Sequence, residues 1–198
     1  MPSLIRGYIR TIDTLNRVIG RCAMYLIFLL IGVLLWSSSS KILWTPSIWT
    51  LETAQFVMVA YFVLGGPYSI QLGSNVRMDL LYGEWSLKTK AWVDAFTVLF
   101  LLFYLGVLLY GGLVSTAYSL GYFGSEPLSF LLDFGWTFVT QGPTGAGDML
   151  GFMERSPTAW RPVLWPIKTI LCIGIFLMIL QSLAEFFRDI GRLRGVDI

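Results

Sequence analysis

Four long apolar runs leave this chain few folds to adopt. A helix needs about 20 mostly apolar residues to cross a bilayer. Runs centred on Cys22–Trp36, Thr53–Leu72, Ala95–Tyr118 and Val163–Ala184 reach or approach that length. Hydrophobic residues make up 56% of the chain and charged residues 13%, against about a quarter charged in an ordinary soluble domain. So much apolar surface has to face lipid. The expected fold is an all-α membrane protein with spans at about 22–40, 53–72, 92–118 and 163–184. The first run is short, and Ser37, Ser38, Ser39 and Ser40 extend it, because a serine hydroxyl in a helix can bond back to the preceding turn. Arg21 lies late for a signal n-region and no A-x-A site follows Trp36, so the first span reads as an uncleaved anchor.

Orientation follows from the basic residues. With both termini in the cytoplasm, ten Lys and Arg (Arg6, Arg10, Arg17, Arg21, Arg77, Lys88, Lys90, Arg188, Arg192 and Arg194) lie inside and four (Lys41, Arg155, Arg161 and Lys168) lie outside. That distribution obeys the positive-inside rule, and Trp44, Trp49, Trp160 and Trp165 then form a belt at the outer interface.

The chain divides into a cytoplasmic amphipathic helix over 1–21, a membrane domain over 22–184 that includes a periplasmic segment over 119–161, and a cytoplasmic tail over 185–198. In the first part Leu4, Ile5, Tyr8, Ile9, Ile12, Leu15 and Ile19 make one stripe, with Arg6, Arg10, Arg17 and Arg21 on the other side. Such a helix lies in the headgroup plane with its arginines on anionic lipid. Ser86 is placed to cap the third span. The outer segment is too apolar for an ordinary loop: Leu128, Leu131, Leu132, Phe134, Trp136, Phe138 and Val139 follow a Ser125-Glu126-Pro127 helix start, which predicts an interfacial or partner-covered helix. The Gly142–Gly147 stretch lacks the Gly-Lys-Ser/Thr of a phosphate-binding loop and is expected to be a flexible turn. At the C-terminal end, Glu185 with Arg188 and Asp189 with Arg192 read as a solvated helix end.

Little chemistry is available. Histidine is absent, which removes the usual haem ligand, the usual near-neutral proton carrier and the common catalytic triads. Cys22 and Cys172 read as small buried hydrophobes. No catalytic residue, metal site or cofactor of its own is expected, and a net charge of +2 gives no reason to invoke nucleic acid. Lipids, and quinones or pigments of neighbouring subunits, need only apolar surface to touch the chain. Glu52 and Lys168 are the ionisable groups at the outer ends of the second and fourth spans, and they are expected to approach each other as an ion pair. Gly65, Ser69 and Gly73 recur every four residues around Pro67, as do Gly111, Ser115 and Ser119 on the third span, predicting faces for close helix contact.

The stretch from Leu51 to Asp94 resembles the small permease subunit, DctQ type, of tripartite ATP-independent periplasmic (TRAP) transporters. The resemblance rests on Glu52, Gly65, Tyr68 and Asn75-Val76-Arg77-Met78-Asp79-Leu80-Leu81-Tyr82. A second block carries Glu154-Arg155-Ser156-Pro157-Thr158-Ala159-Trp160, Trp165-Pro166-Ile167-Lys168, Leu180-Gln181 and Glu185-Phe186. Asn75 stands where the family usually has histidine, while Arg77 and Asp79 keep to its pattern. The resemblance implies a scaffold that binds a large multi-span permease, with a periplasmic binding protein delivering an organic acid, and it implies Asn75, Arg77 and Asp79 as contact residues. The alternative reading of the residues is an accessory structural subunit of another inner-membrane complex, photosynthetic or respiratory.

Overall fold

The computed structural model describes residues 3–73 and 85–193. Among them the chain is helical: α1 (Ser3–Met24), α2 (Leu26–Leu43), α3 (Thr50–Gln71), α4 (Leu87–Ser119), α5 (Pro127–Asp148) and α6 (Trp165–Leu193). Four apolar helices are long enough to cross a membrane, the first of them being α2 with α1 running into it at Tyr25. α2 continues through its serines to Leu43, and Ser40 Oγ donates to Ser37 O at 3.1 Å. Ser86 caps α4, its hydroxyl accepting from the Thr89 amide at 3.3 Å.

α6 is the central helix. It packs on α4, α3 and α1, while α2 packs chiefly on α3. Lipid tails are as apolar as leucine, so helices in a membrane associate through close packing more than through hydrophobic burial. The sequence supplies that closeness with glycines. A Cβ at Gly174 would overlap Val63 on α3, and one at Gly20 would overlap Tyr68. Gly66 faces Met178, and Gly112 faces Cys172. The expected small-residue ladder sits elsewhere. A Cβ at Gly65, Gly73 or Gly111 would meet nothing within 4 Å, so these residues set no close contact inside the chain. Gly73 instead ends α3 with φ of 62°, a left-handed conformation that favours glycine at a helix C-terminus.

α1 follows the amphipathic pattern but spends its inner face on protein. Ile9, Ile12, Asn16, Gly20 and Ala23 are buried against α3 and α6, and Arg6, Arg10, Arg17 and Arg21 are exposed. Leu4 and Leu15, expected in the apolar stripe, are exposed as well. Cys172 is buried as expected, but Cys22 is exposed, because it projects from the side of α1 away from that packed face.

The segment over 119–161 is more ordered than a loop with a turn. Pro127 opens α5 at the first helical position, where its missing N–H costs nothing. The helix persists through the glycines to Asp148 with a kink, and not a flexible turn, at Gly142 (φ 74°, ψ −169°). Gly142 takes a backbone conformation closed to other residues, and Pro143 restarts the helix beyond it. Residues 151–164 then fold back on the bundle. The Gly151 amide donates to Leu120 O at 3.1 Å and the Glu154 amide to Ser119 O at 3.1 Å. Gly121, at φ 90°, lies so close to Gly151 that a side chain at either would strike backbone.

Candidate functional site

Two polar seams tie the bundle together, one at each end. At the end where α2 stops and α3 and α6 begin, the folded-back segment holds two charges. Glu52 is 3% exposed; its Oε1 accepts from Ser156 Oγ at 2.5 Å and from Thr158 Oγ1. Its other oxygen is buried with no donor. Lys168 donates to Glu154 and, at 3.3 Å, to Ser115 O, with the Tyr118 ring 6.0 Å away. The expected Glu52–Lys168 pair is therefore replaced by two separate attachments to one segment. Each charge finds its partner in 154–158, closer at hand than the neighbouring helix, because that segment folds between the starts of α3 and α6. Beside it, Thr50, Ser47, Ser40 and Ser37 link the ends of α2 and α3 through their hydroxyls.

The second seam joins α1 to the far end of α6. Asn16 Nδ2 donates to Gln181 Oε1 at 2.7 Å, and Gln181 Nε2 donates to Asp13 Oδ1 at 3.1 Å and Glu185 Oε1 at 3.2 Å. Arg188 bridges Asp13 and Glu185, and Tyr8 OH donates to Leu180 O at 2.9 Å. Arg192 pairs with Asp189 at 2.8 Å. The i,i+3 pairs expected on α6 are both present, but the end is not solvated: Asp189 is 4% exposed and Gln181 and Asn16 are fully buried. The reason is α1, which lies across this face of α6. Asn16 interrupts the apolar stripe at the position that meets Gln181, and that interruption was the available signal.

The remaining surface is apolar and open. On α4, Phe96, Phe100, Phe103, Tyr104 and Val107 are exposed, and on α2 Phe28, Leu35 and Trp36. Leu132, Trp136 and Val139 are exposed on α5. Trp44, Trp49, Trp160 and Trp165 all lie at the end of the bundle where α2 stops and α3 and α6 begin. Ser69 is half-buried on α3. Asn75, Arg77 and Asp79 lie outside the described residues. Among the described residues no group of His, Cys, Asp or Glu could hold a metal ion.

Buried polar seams that lock apolar helices together define a multi-pass helical membrane protein. The model of the family described as tripartite ATP-independent periplasmic transporters, DctQ component, matches residues 30–140, and this chain belongs to that family. It is accordingly a non-catalytic small permease component of a TRAP-type transport system, located in the inner membrane. The match takes in most of α2, all of α3 and α4, and most of α5; the resembling block over 154–186 lies beyond it. No curated protein and no solved structure matches the chain.

Proposed function

We propose that the chain is the fixed scaffold against which a large multi-span permease moves, in a system that takes up an organic acid delivered by a periplasmic binding protein. The observation that carries this reading is the face of α4. It is a helix of 33 residues whose aromatic side chains Phe96, Phe100, Phe103 and Tyr104 are each more than half exposed. Gly106 and Gly111 on the same helix have open space above them. Gly65, Ser69 and Gly73 on α3, with Asn75, Arg77 and Asp79 following, form the rest of the proposed contact with the permease. Open glycines let a second helix approach closely.

Both termini lie in the cytoplasm on this reading, with α1 at the inner membrane surface. Arg6, Arg10, Arg17 and Arg21 then reach the headgroups, each gaining about 1 kcal/mol from anionic lipid, while lipid tails cover the apolar surface that the permease leaves bare. The chain holds no cofactor through its own side chains.

Reconstitution in liposomes tests the proposal. Under a sodium gradient the chain alone should give no saturable uptake of a radiolabelled organic acid, and uptake should appear when the large permease and the binding protein are added. Saturable uptake by the lone chain would refute the scaffold role. Co-purification with a pigment or respiratory complex and no permease would replace it with the accessory-subunit role.

A further inference from the structure

Within the chain α5 packs on α4. Its inner side carries Pro127, Phe130 and Phe134, all half-buried, and the Phe130 ring stacks on Tyr122 with centroids 4.5 Å apart. A helix turns once in 3.6 residues, so Leu128, Leu132, Trp136 and Val139 fall on the opposite side. All four are exposed, Leu132 at 75% and Val139 at 79%. Between these two sides run flanks of unlike chemistry. One carries Ser129, Asp133 and Thr140; the other carries Leu131, Gly135 and Phe138. The helix therefore has a polar flank and an apolar flank at right angles to its contact with α4.

The place of α5 in the fold says what covers its apolar surface. The apolar stretch of α4 begins at Trp92 and ends at Ser119, and α5 opens at Pro127, one short link later. Beyond α5 the chain returns to the same point, where the Gly151 amide donates to Leu120 O at 3.1 Å. The excursion is thus tied at both ends to the level at which a span ends. Trp160 and Trp165, part-exposed at the same end of the bundle, mark that level as the membrane interface. A helix held there with one wet flank and one apolar flank lies flat in the interface. Water then meets Asp133 and Thr140, and lipid meets Phe138, Leu132 and Val139. A soluble partner arriving from the water would meet the polar flank first. We propose that α5 is a membrane-surface helix, sunk by its apolar side into the leaflet at this end of the bundle, the outer leaflet on the proposed orientation. Its charges select the lipid. Residues 121–153 contain no Lys or Arg and three acids, Glu126, Asp133 and Asp148. Anionic headgroups would repel them, so the surface is one of zwitterionic lipid and apolar burial alone drives insertion. α1, with its exposed arginines, is the opposite case. The inference rests on the four helices crossing a membrane, and neither on their orientation nor on the permease.

Spin labelling of the full chain in vesicles of palmitoyl-oleoyl phosphatidylcholine tests it. Cys22→Ser and Cys172→Ala clear the background. Nitroxides are then attached singly through Leu132→Cys, Asp133→Cys, Val139→Cys and Thr140→Cys, all at exposed positions where substitution disturbs no packing. At 132 and 139, collisions with molecular oxygen should exceed those with a water-soluble nickel chelate, placing the labels about 5–10 Å into the boundary between headgroups and acyl chains. At 133 and 140 the nickel chelate should dominate. Adding phosphatidylglycerol to the vesicles should not deepen the labels at 132 and 139. Nickel reaching 132 and 139 as freely as 133 and 140 would overturn the proposal, because the helix would then stand in water. Exclusion of both reagents from 132 and 139, with spectra broadened by a neighbouring nitroxide, would overturn it in favour of a second copy of the chain. Insertion only in the presence of phosphatidylglycerol would overturn the assignment to zwitterionic lipid. Because these vesicles contain no permease, failure here leaves the uptake experiment, and the scaffold reading, to stand or fall separately.

Discussion

Asn16 on α1 and Gln181 on α6 meet across the bundle with a hydrogen bond of 2.7 Å, and both side chains are fully buried. Removing one member leaves the other without its partner in a place water does not reach, which costs about 1–3 kcal/mol. Gln181 also donates to Asp13 and Glu185, so Gln181→Ala should lower thermal stability in detergent more than Asn16→Ala. Replacing both by leucine removes donor and acceptor together. The double variant should therefore lose less than the sum of the single losses, and strict additivity in the melting curves would show that the pair is not coupled.

Gly174 and Gly65 make opposite demands. A Cβ at Gly174 runs into Val63, both its side chain and its carbonyl, so Gly174→Ala forces α3 and α6 apart. Overpacking of this kind costs about 1–3 kcal/mol. Gly65 faces open space, so Gly65→Leu should leave the melting temperature of the isolated chain almost unchanged while reducing co-purification with the large permease. A Gly65→Leu chain that melts early would place the residue inside the chain's own packing. One that binds the permease normally would take it out of the interface.

Glu52 and Lys168 hold the same segment from two helices. Glu52→Ala should release Ser156 and Thr158, and Lys168→Met should release Glu154, each costing about 1–2 kcal/mol for a partly buried pair or charged hydrogen bond. Arg155 is exposed between the two attachments, so it reports on both. Limited trypsin digestion of the chain in detergent should cut after Arg155 faster in either variant than in the parent. Glu52→Gln keeps an acceptor for both hydroxyls and should behave like the parent. Equal cutting in Glu52→Ala and the parent would mean that this carboxylate does not hold the segment.

The spans were legible because length and apolarity suffice to specify a membrane helix. Cap and start signals were legible too, since Ser86 and Pro127 act within a few residues of themselves. What stayed hidden depends on contacts distant in sequence. Periodicity shows that α1 has an inner face, but only the fold reveals that Asp13 and Asn16 lie on Gln181, Glu185 and Arg188. The same holds for Glu52, whose hydroxyl partners are more than a hundred residues away. A recurrence of small residues marks Gly65 and Gly111 but cannot say whether the neighbour belongs to this chain, and the glycines that bring its own helices together, Gly20 and Gly174, belong to no such ladder.

The orientation predicts labelling from opposite sides of the membrane. Ten Lys and Arg lie on one set of segments and four on the other, and the positive-inside rule assigns the richer set to the cytoplasm. With Cys22 and Cys172 replaced by serine and alanine, a single cysteine can be placed at Gly147, which has open space above it at the end of α5, or at Arg10, which is exposed on α1. A membrane-impermeant maleimide added to intact cells should modify the cysteine at 147 and leave the one at 10 untouched until the cells are opened. The reverse pattern would invert the topology, carry α1 to the periplasmic side, and put Glu52, Lys168 and the segment that binds them in the cytoplasm.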